Sequence, residues 1–85
     1  MLNKKREAAI DRIQAGLRND ANCSIMYDPN HRQKPGDGFK VTVTIGDKSH
    51  DAFIGVSGGI MVYNDHGSAY RGDKAIEKLN LWLAP

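Results

Sequence analysis

Strict alternation of apolar and polar side chains marks the middle of the chain. Between residues 39 and 45 every second side chain is apolar, and the others are lysine or threonine. This period of two is typical of a strand with one buried and one solvated face. Gly46-Asp47 is a short turn signal, and a second alternation runs from His50 to Val56. After Ser57-Gly58-Gly59, the apolar run at residues 60–63 completes an antiparallel meander.

The length of the first turn decides which side chains of the meander are buried. A turn of two or four residues places Val41 on the same face as Ile54, and leaves Phe53 on the opposite face with Lys40 and Thr42. A three-residue turn would instead bury Asp51 and Phe53. We prefer the even turn, because it buries the larger apolar area.

Two helices flank the meander. Asn3 is a good N-cap for a first helix over about residues 4–18, where apolar residues recur at helical spacing. A second helix is predicted to begin near Asp73, with Asp73 as its cap. Its apolar stripe runs from Ala75 to Leu83 and includes Trp82, which we expect to be the largest single burial of the core. Leu81 points away from that stripe. Alternation also predicts a short strand from Cys23 to Tyr27.

These elements predict a single domain over residues 1–85 in the α+β class. The expected order is helix, three- to four-stranded antiparallel meander, helix, with both helices packed on one face of the sheet as a two-layer sandwich. The other face of the sheet would then meet water or a partner.

Composition limits the function classes. The net charge is only +2, which is too small to require a polyanionic partner, and charged residues make up 26% of the chain. With one cysteine no disulfide can form within the chain, so a reducing, cytoplasmic location is expected. No apolar run is long enough to span a membrane, and the charges at Lys4, Lys5 and Arg6 precede no signal-peptide core.

Motifs that suggest catalysis lack their required context. Residues 55–59 match the G-x-S-x-G pattern of a nucleophile elbow, but a strand follows them where the elbow needs a helix. Nothing near Cys23 would lower the pKa of its thiol, so it is expected to be a small apolar residue of the first strand. No phosphate loop and no metal-finger spacing are present. We therefore predict no enzyme activity, no catalytic residue, no cofactor and no metal site.

One possible histidine pair bears on the prediction of no metal site. If Ser57-Gly58-Gly59 is a three-residue loop, counting outward along the strands places His50 opposite His66. Two imidazoles would form only part of a zinc site, and the neighbouring Asp51 and Asp65 should point away from it. The pair is therefore a structural prediction about register, and we predict no bound metal.

By elimination, the sequence favours a small module that binds another protein. The candidate surface combines the polar segment from Asp28 to Gly38 with the open sheet face. Small chains without catalytic motifs are common among phage and mobile-element proteins that inhibit a host machine by occupying its surface. The specific prediction is therefore an inhibitor of this kind. A dimerising structural subunit that uses a strand edge is a further alternative, so the chain could be a monomer or a homodimer. The predicted partner-binding residues are His31, Arg32, Lys34, Lys40, Thr42 and Phe53.

Nucleic-acid binding is the main alternative. Residues 1–18 hold five basic side chains against two acidic ones, and more basic side chains follow in the polar segment. The order of elements, with the strand from Phe39 to Val43, resembles the double-stranded-RNA-binding domain. That family has lysines opening its second helix, where this chain has Gly72-Asp73-Lys74-Ala75. The resemblance implies phosphate contacts by basic residues. The residues assigned to this alternative are Lys4, Lys5, Arg6, Arg12, Arg18, Arg32 and Lys34.

Overall fold

In the part of the chain that the structure describes, five strands in sequential order form one antiparallel sheet, with one helix before the strands and one after them. The computed structural model describes residues 3–17, 23–27 and 38–84. Sheet order is β1-β2-β3-β4-β5, so every strand pairs with its neighbour in sequence. The elements are α1 (Lys4–Gly16), β1 (Cys23–Met26), β2 (Phe39–Ile45), β3 (Lys48–Ile54), β4 (Ile60–Tyr63), β5 (Ala69–Arg71) and α2 (Asp73–Trp82).

This architecture confirms the predicted α+β class and the two-layer arrangement. Both helices cover one face of the sheet, α1 contacting β1, and α2 contacting β4 and β5. The sheet has five strands among the described residues, where three or four were expected. β5 was missed because it is three residues long and only Tyr70 packs against the core, which leaves no apolar periodicity to detect. Among the described residues, neither helix is long and apolar enough to cross a membrane.

The turn between β2 and β3 has two residues, as predicted. Ile45 pairs with Lys48 across it, and Gly46 has a φ of 62° while Asp47 does not have a positive φ. Glycine at the first turn position is typical of a type II′ hairpin. Phe53 consequently pairs with Lys40 on the face opposite the helices.

The connection between β3 and β4 differs from the prediction. Ile54 pairs with Ile60, so five residues form the loop, and the Gly55 amide donates to the Gly59 carbonyl at 2.8 Å. The alternation from His50 to Val56 would place Val56 on the same buried face as Ile54, but Val56 is 69% exposed because the strand ends at Ile54.

The predicted pair of His50 and His66 is wrong for the same reason. β4 ends at Tyr63, and the Asn64 side chain accepts hydrogen bonds from the amides of His66 and Ser68, both at 2.9 Å. His66 therefore belongs to the turn that leads into β5 and has no partner position on β3.

The core lies between the helices and the sheet. Trp82 is only partly buried, contrary to the prediction, because it is the last residue of α2 and lies over His50 and Tyr70. Its ring centroid is 4.8 Å from that of His50 and 5.9 Å from that of Tyr70. Leu81 is 65% exposed, as expected. The largest fully buried side chains are Ile13, Ile54, Ile60, Leu79, Val41, Val43 and Val62.

The two helices have different N-terminal caps. The Asn3 side chain accepts a hydrogen bond from the Arg6 amide at 2.8 Å, which confirms the predicted cap of α1. The cap of α2 is Gly72, with a φ of 62°, and not Asp73. Asp73 is the first helical residue and forms an ion pair with Arg12 of α1.

Close approach of the helices depends on Gly16. A Cβ atom at this position would lie 2.7 Å from Cγ2 of Ile76. The Asn80 side chain donates to the Gly16 carbonyl at 2.9 Å, satisfying an acceptor that a helix end leaves unpaired.

Candidate functional site

The sheet face that carries no helix, here called the open face, has a continuous row of four paired side chains. Lys40 pairs with Phe53, Phe53 with Met61, and Met61 with Arg71. Directly paired residues of antiparallel strands project to the same side, with Cβ atoms roughly 4.5–5.5 Å apart. This central row therefore runs across β2, β3, β4 and β5, with a cation at each end and two apolar side chains between them.

Further apolar side chains extend the central row. Tyr63 follows Met61 on the same face of β4 and is 41% exposed, and its ring centroid is 5.8 Å from that of Phe53 in an edge-to-face arrangement. Met26 of β1 is 66% exposed. The open face thus presents an aromatic pair and two methionines. These apolar side chains lie on a face that neither helix covers.

Polar pairs occupy the other end of the open face. The Thr42 hydroxyl donates to Asp51 Oδ1 at 3.0 Å, and the hydroxyl oxygens of Thr44 and Ser49 are 2.9 Å apart. Both are cross-strand pairs between β2 and β3. The Thr42 hydrogen bond orients the Asp51 carboxylate relative to the sheet.

A groove opens on this face where β3 and β4 separate. Register pairing between the two strands is limited to Phe53 with Met61 and Ile54 with Ile60. Beyond that point β4 pairs with β5, and the space left beside β3 has a volume of about 370 Å³. The groove is lined by Ser49, His50, Asp51, Phe53 and Tyr63.

His50 lines this groove but is held from the other side of the sheet. Its Nδ1 lies 2.8 Å from the Asp51 carbonyl oxygen, and a carbonyl oxygen can only accept, so Nδ1 carries the hydrogen. The ring stacks on Trp82. His50 therefore helps to anchor the end of α2.

The structure brings together three of the six residues predicted to bind a partner. Lys40, Thr42 and Phe53 lie next to one another on the open face. The remaining three, His31, Arg32 and Lys34, lie outside the described residues.

Of the basic residues assigned to nucleic-acid binding, two make contacts within the fold and two are exposed to solvent. Arg6 donates through Nε to the Ile54 carbonyl at 3.3 Å and stacks on Phe39, with Cζ 5.6 Å from the ring centroid. Arg12 pairs with Asp73. Lys4 and Lys5 are exposed on α1, on the side of the sheet opposite the open face. Arg18, Arg32 and Lys34 lie outside the described residues.

Other reactive side chains are placed within the fold. Cys23 is half-buried in β1 and packs against the core, with its Sγ 2.7 Å from Gln14 Nε2. Within residues 3–17, 23–27 and 38–84, no three side chains of histidine, cysteine, aspartate or glutamate come together as a set of metal ligands.

The predicted partner-binding residues did not include Met61, Tyr63 and Arg71, which are central to the open face. Met61 and Tyr63 alternate with the buried Ile60 and Val62, so the alternation within β4 was a sufficient signal for them. Arg71 could be assigned only once β5 and its register were known. Comparisons with protein-family models, with curated proteins and with solved structures found no match to this chain.

Proposed function

We propose that this chain is a non-enzymatic module that binds another protein through its open face. The observation that supports the proposal is the central row, in which Lys40 and Arg71 bracket Phe53 and Met61 across four strands. The solvated face of an antiparallel sheet normally carries polar side chains, whereas this one has apolar side chains at its centre.

The residue types of the open face suit a protein interface. Aromatic residues, methionine and arginine are enriched in interface cores, and a few such side chains carry most of the binding energy. Phe53 and Tyr63 are already held against each other by neighbouring strands, so little side-chain freedom would be lost on binding.

The charges of the central row define the partner's chemistry. Lys40 and Arg71 lie at opposite ends of the row and are exposed, so the complementary surface has apolar side chains at its centre and carboxylates at its flanks. A module that covers such a surface can block whatever else binds there. We therefore propose an inhibitor of the kind that phages and mobile elements produce, acting in the reducing cytoplasm.

Capture of the partner from a lysate of the source cell tests this proposal. The tagged chain is compared with Phe53→Ser, and with Leu81→Ser as a control outside the open face, because Leu81 is an apolar residue of α2 that is 65% exposed. Mass spectrometry of the captured proteins should show a partner that Phe53→Ser loses and Leu81→Ser retains. The charge reversals Lys40→Glu and Arg71→Glu should also weaken capture. Their effect should be larger at low salt, because the repulsion from the partner's carboxylates is then less screened.

Equal capture by the wild type and by a folded Phe53→Ser variant would refute the proposal. Nuclease treatment of the lysate tests the nucleic-acid alternative, since capture that depends on nucleic acid would be lost. The exposed Lys4 and Lys5 are the observation that supports this alternative. Light scattering of the purified chain tests the alternative of a structural dimer.

A further inference from the structure

The groove between β3 and β4 is lined by one carboxylate, that of Asp51. Asp51 is exposed, and the Thr42 hydroxyl occupies only its Oδ1 atom. The ion pairs found in the described part of the chain join Arg12 to Asp73 and Lys74 to Glu77, so neither involves Asp51. The Asp51 carboxylate therefore retains acceptor positions for a cation from outside.

Aromatic rings line the same groove. Phe53 and Tyr63 meet at an interplanar angle of 69°, and both border the space beside Asp51. A cation within about 6 Å of an aromatic ring centroid is attracted by the ring's electrostatic field. The groove thus offers a carboxylate and two aromatic rings to a single group.

We infer that this groove receives an arginine side chain of the bound protein. Arginine fits better than lysine, because its planar guanidinium stacks on aromatic rings and can donate two hydrogen bonds to one carboxylate. A groove of about 370 Å³ is large enough for that side chain. The inference deepens the proposed function and rests on it, since the arginine is taken to belong to the partner.

The arginine would also fix the orientation of the partner. The central row selects carboxylates near Lys40 and Arg71, whereas the groove selects a positive charge near Asp51. A partner rotated by half a turn on the open face would keep its carboxylates at Lys40 and Arg71, because the central row has a cation at each end. Its arginine would no longer lie near Asp51, and this difference in affinity favours the first orientation.

A small probe tests the groove without the partner. The intact chain is titrated with N-acetyl-arginine amide and, as a control, with N-acetyl-citrulline amide, which has nearly the same shape but no charge. NMR should show millimolar binding of the arginine probe, with shifts at Ser49, Asp51, Phe53 and Tyr63. The citrulline probe should bind about fivefold more weakly, as expected for loss of one exposed ion pair.

Variants assign the effect to one carboxylate. Asp51→Asn should lose about the same fivefold in affinity, while Asp47→Asn, in the adjoining turn, should bind the arginine probe as the wild type does. Equal binding of the two probes by the wild type would overturn the inference, and so would unchanged arginine binding by Asp51→Asn.

Failure of the inference is distinguishable from failure of the proposed function. If the arginine probe does not bind but Phe53→Ser still abolishes partner capture, the open face is the interface and the arginine assignment is wrong. If the probe binds as expected but capture is insensitive to Phe53→Ser, the partner binds elsewhere.

Discussion

Replacing Gly16 with alanine should destabilise the protein, although alanine is the better helix former. Gly16 is the last residue of α1 and faces Ile76 of α2. The added Cβ would lie 2.7 Å from Cγ2 of Ile76. That methyl is attached directly to the Cβ of a buried, β-branched residue, so it cannot move aside without a change in the packing of α2.

Two opposing terms set the magnitude. Alanine gains at most about 1 kcal/mol over glycine in a helix interior, and less at a helix end. Overpacking of a filled core costs about 1–3 kcal/mol. We expect a net loss of about 1 kcal/mol in the free energy of unfolding, which lowers the melting temperature by about 4–8 °C in a domain of this size.

Thermal and urea unfolding, followed by circular dichroism, measure this change. Gly59→Ala is the matched control, because its Cβ would meet no atom within 4 Å and its φ is not positive. That control should be neutral or stabilising by up to about 1 kcal/mol. Ile76→Ala in the Gly16→Ala background should show favourable coupling, since it removes the clashing methyl. A rise in melting temperature for Gly16→Ala would refute the assigned contact.

Three further predictions use the same unfolding measurements. Asn3→Ala should cost about 1 kcal/mol, because it removes the cap of α1, and a cost near zero would mean that the cap is not used in solution. Trp82→Ala should cost less than Leu79→Ala, for which about 2–5 kcal/mol is expected, because Leu79 is fully buried and Trp82 is not; the reverse order would place Trp82 in the core after all. Alanine at both Arg32 and Lys34 should leave the melting temperature unchanged and weaken partner capture, and unchanged capture would confine the interface to the open face.

The parts of the fold that the sequence predicted are those where local patterns agree. In β2 and β3 a period of two is joined by a glycine turn of the favoured type, so the register and the position of Phe53 on the open face were predictable. The β3–β4 connection was not, since Ser57-Gly58-Gly59 permits several loop lengths and each one changes the pairing. The loop of five residues, with Gly58 at a φ of 90°, depends on a tertiary contact, because a Cβ there would lie 3.0 Å from the Lys5 carbonyl oxygen.

Only the part of the candidate site that lies in the β2–β3 hairpin was predictable from the sequence. Lys40, Thr42 and Phe53 follow from the β2–β3 hairpin alone. Arg71 and the groove beside Asp51 depend on where β4 leaves β3 and pairs with β5, and no local pattern encodes that divergence.

The sequential strand order has a consequence for the folding pathway. From β2 to β5 each strand pairs with its chain neighbour across a connection of two to five residues, so these hairpins close at low entropic cost. Contacts between the helices join residues far apart in sequence: Arg12 and Asp73 are separated by 61 positions, and Gly16 and Asn80 by 64. We expect the hairpins to form in the folding transition state and the helix–helix contact to form after it. Destabilising changes at Gly16 or Asn80 should then accelerate unfolding and leave the folding rate nearly unchanged.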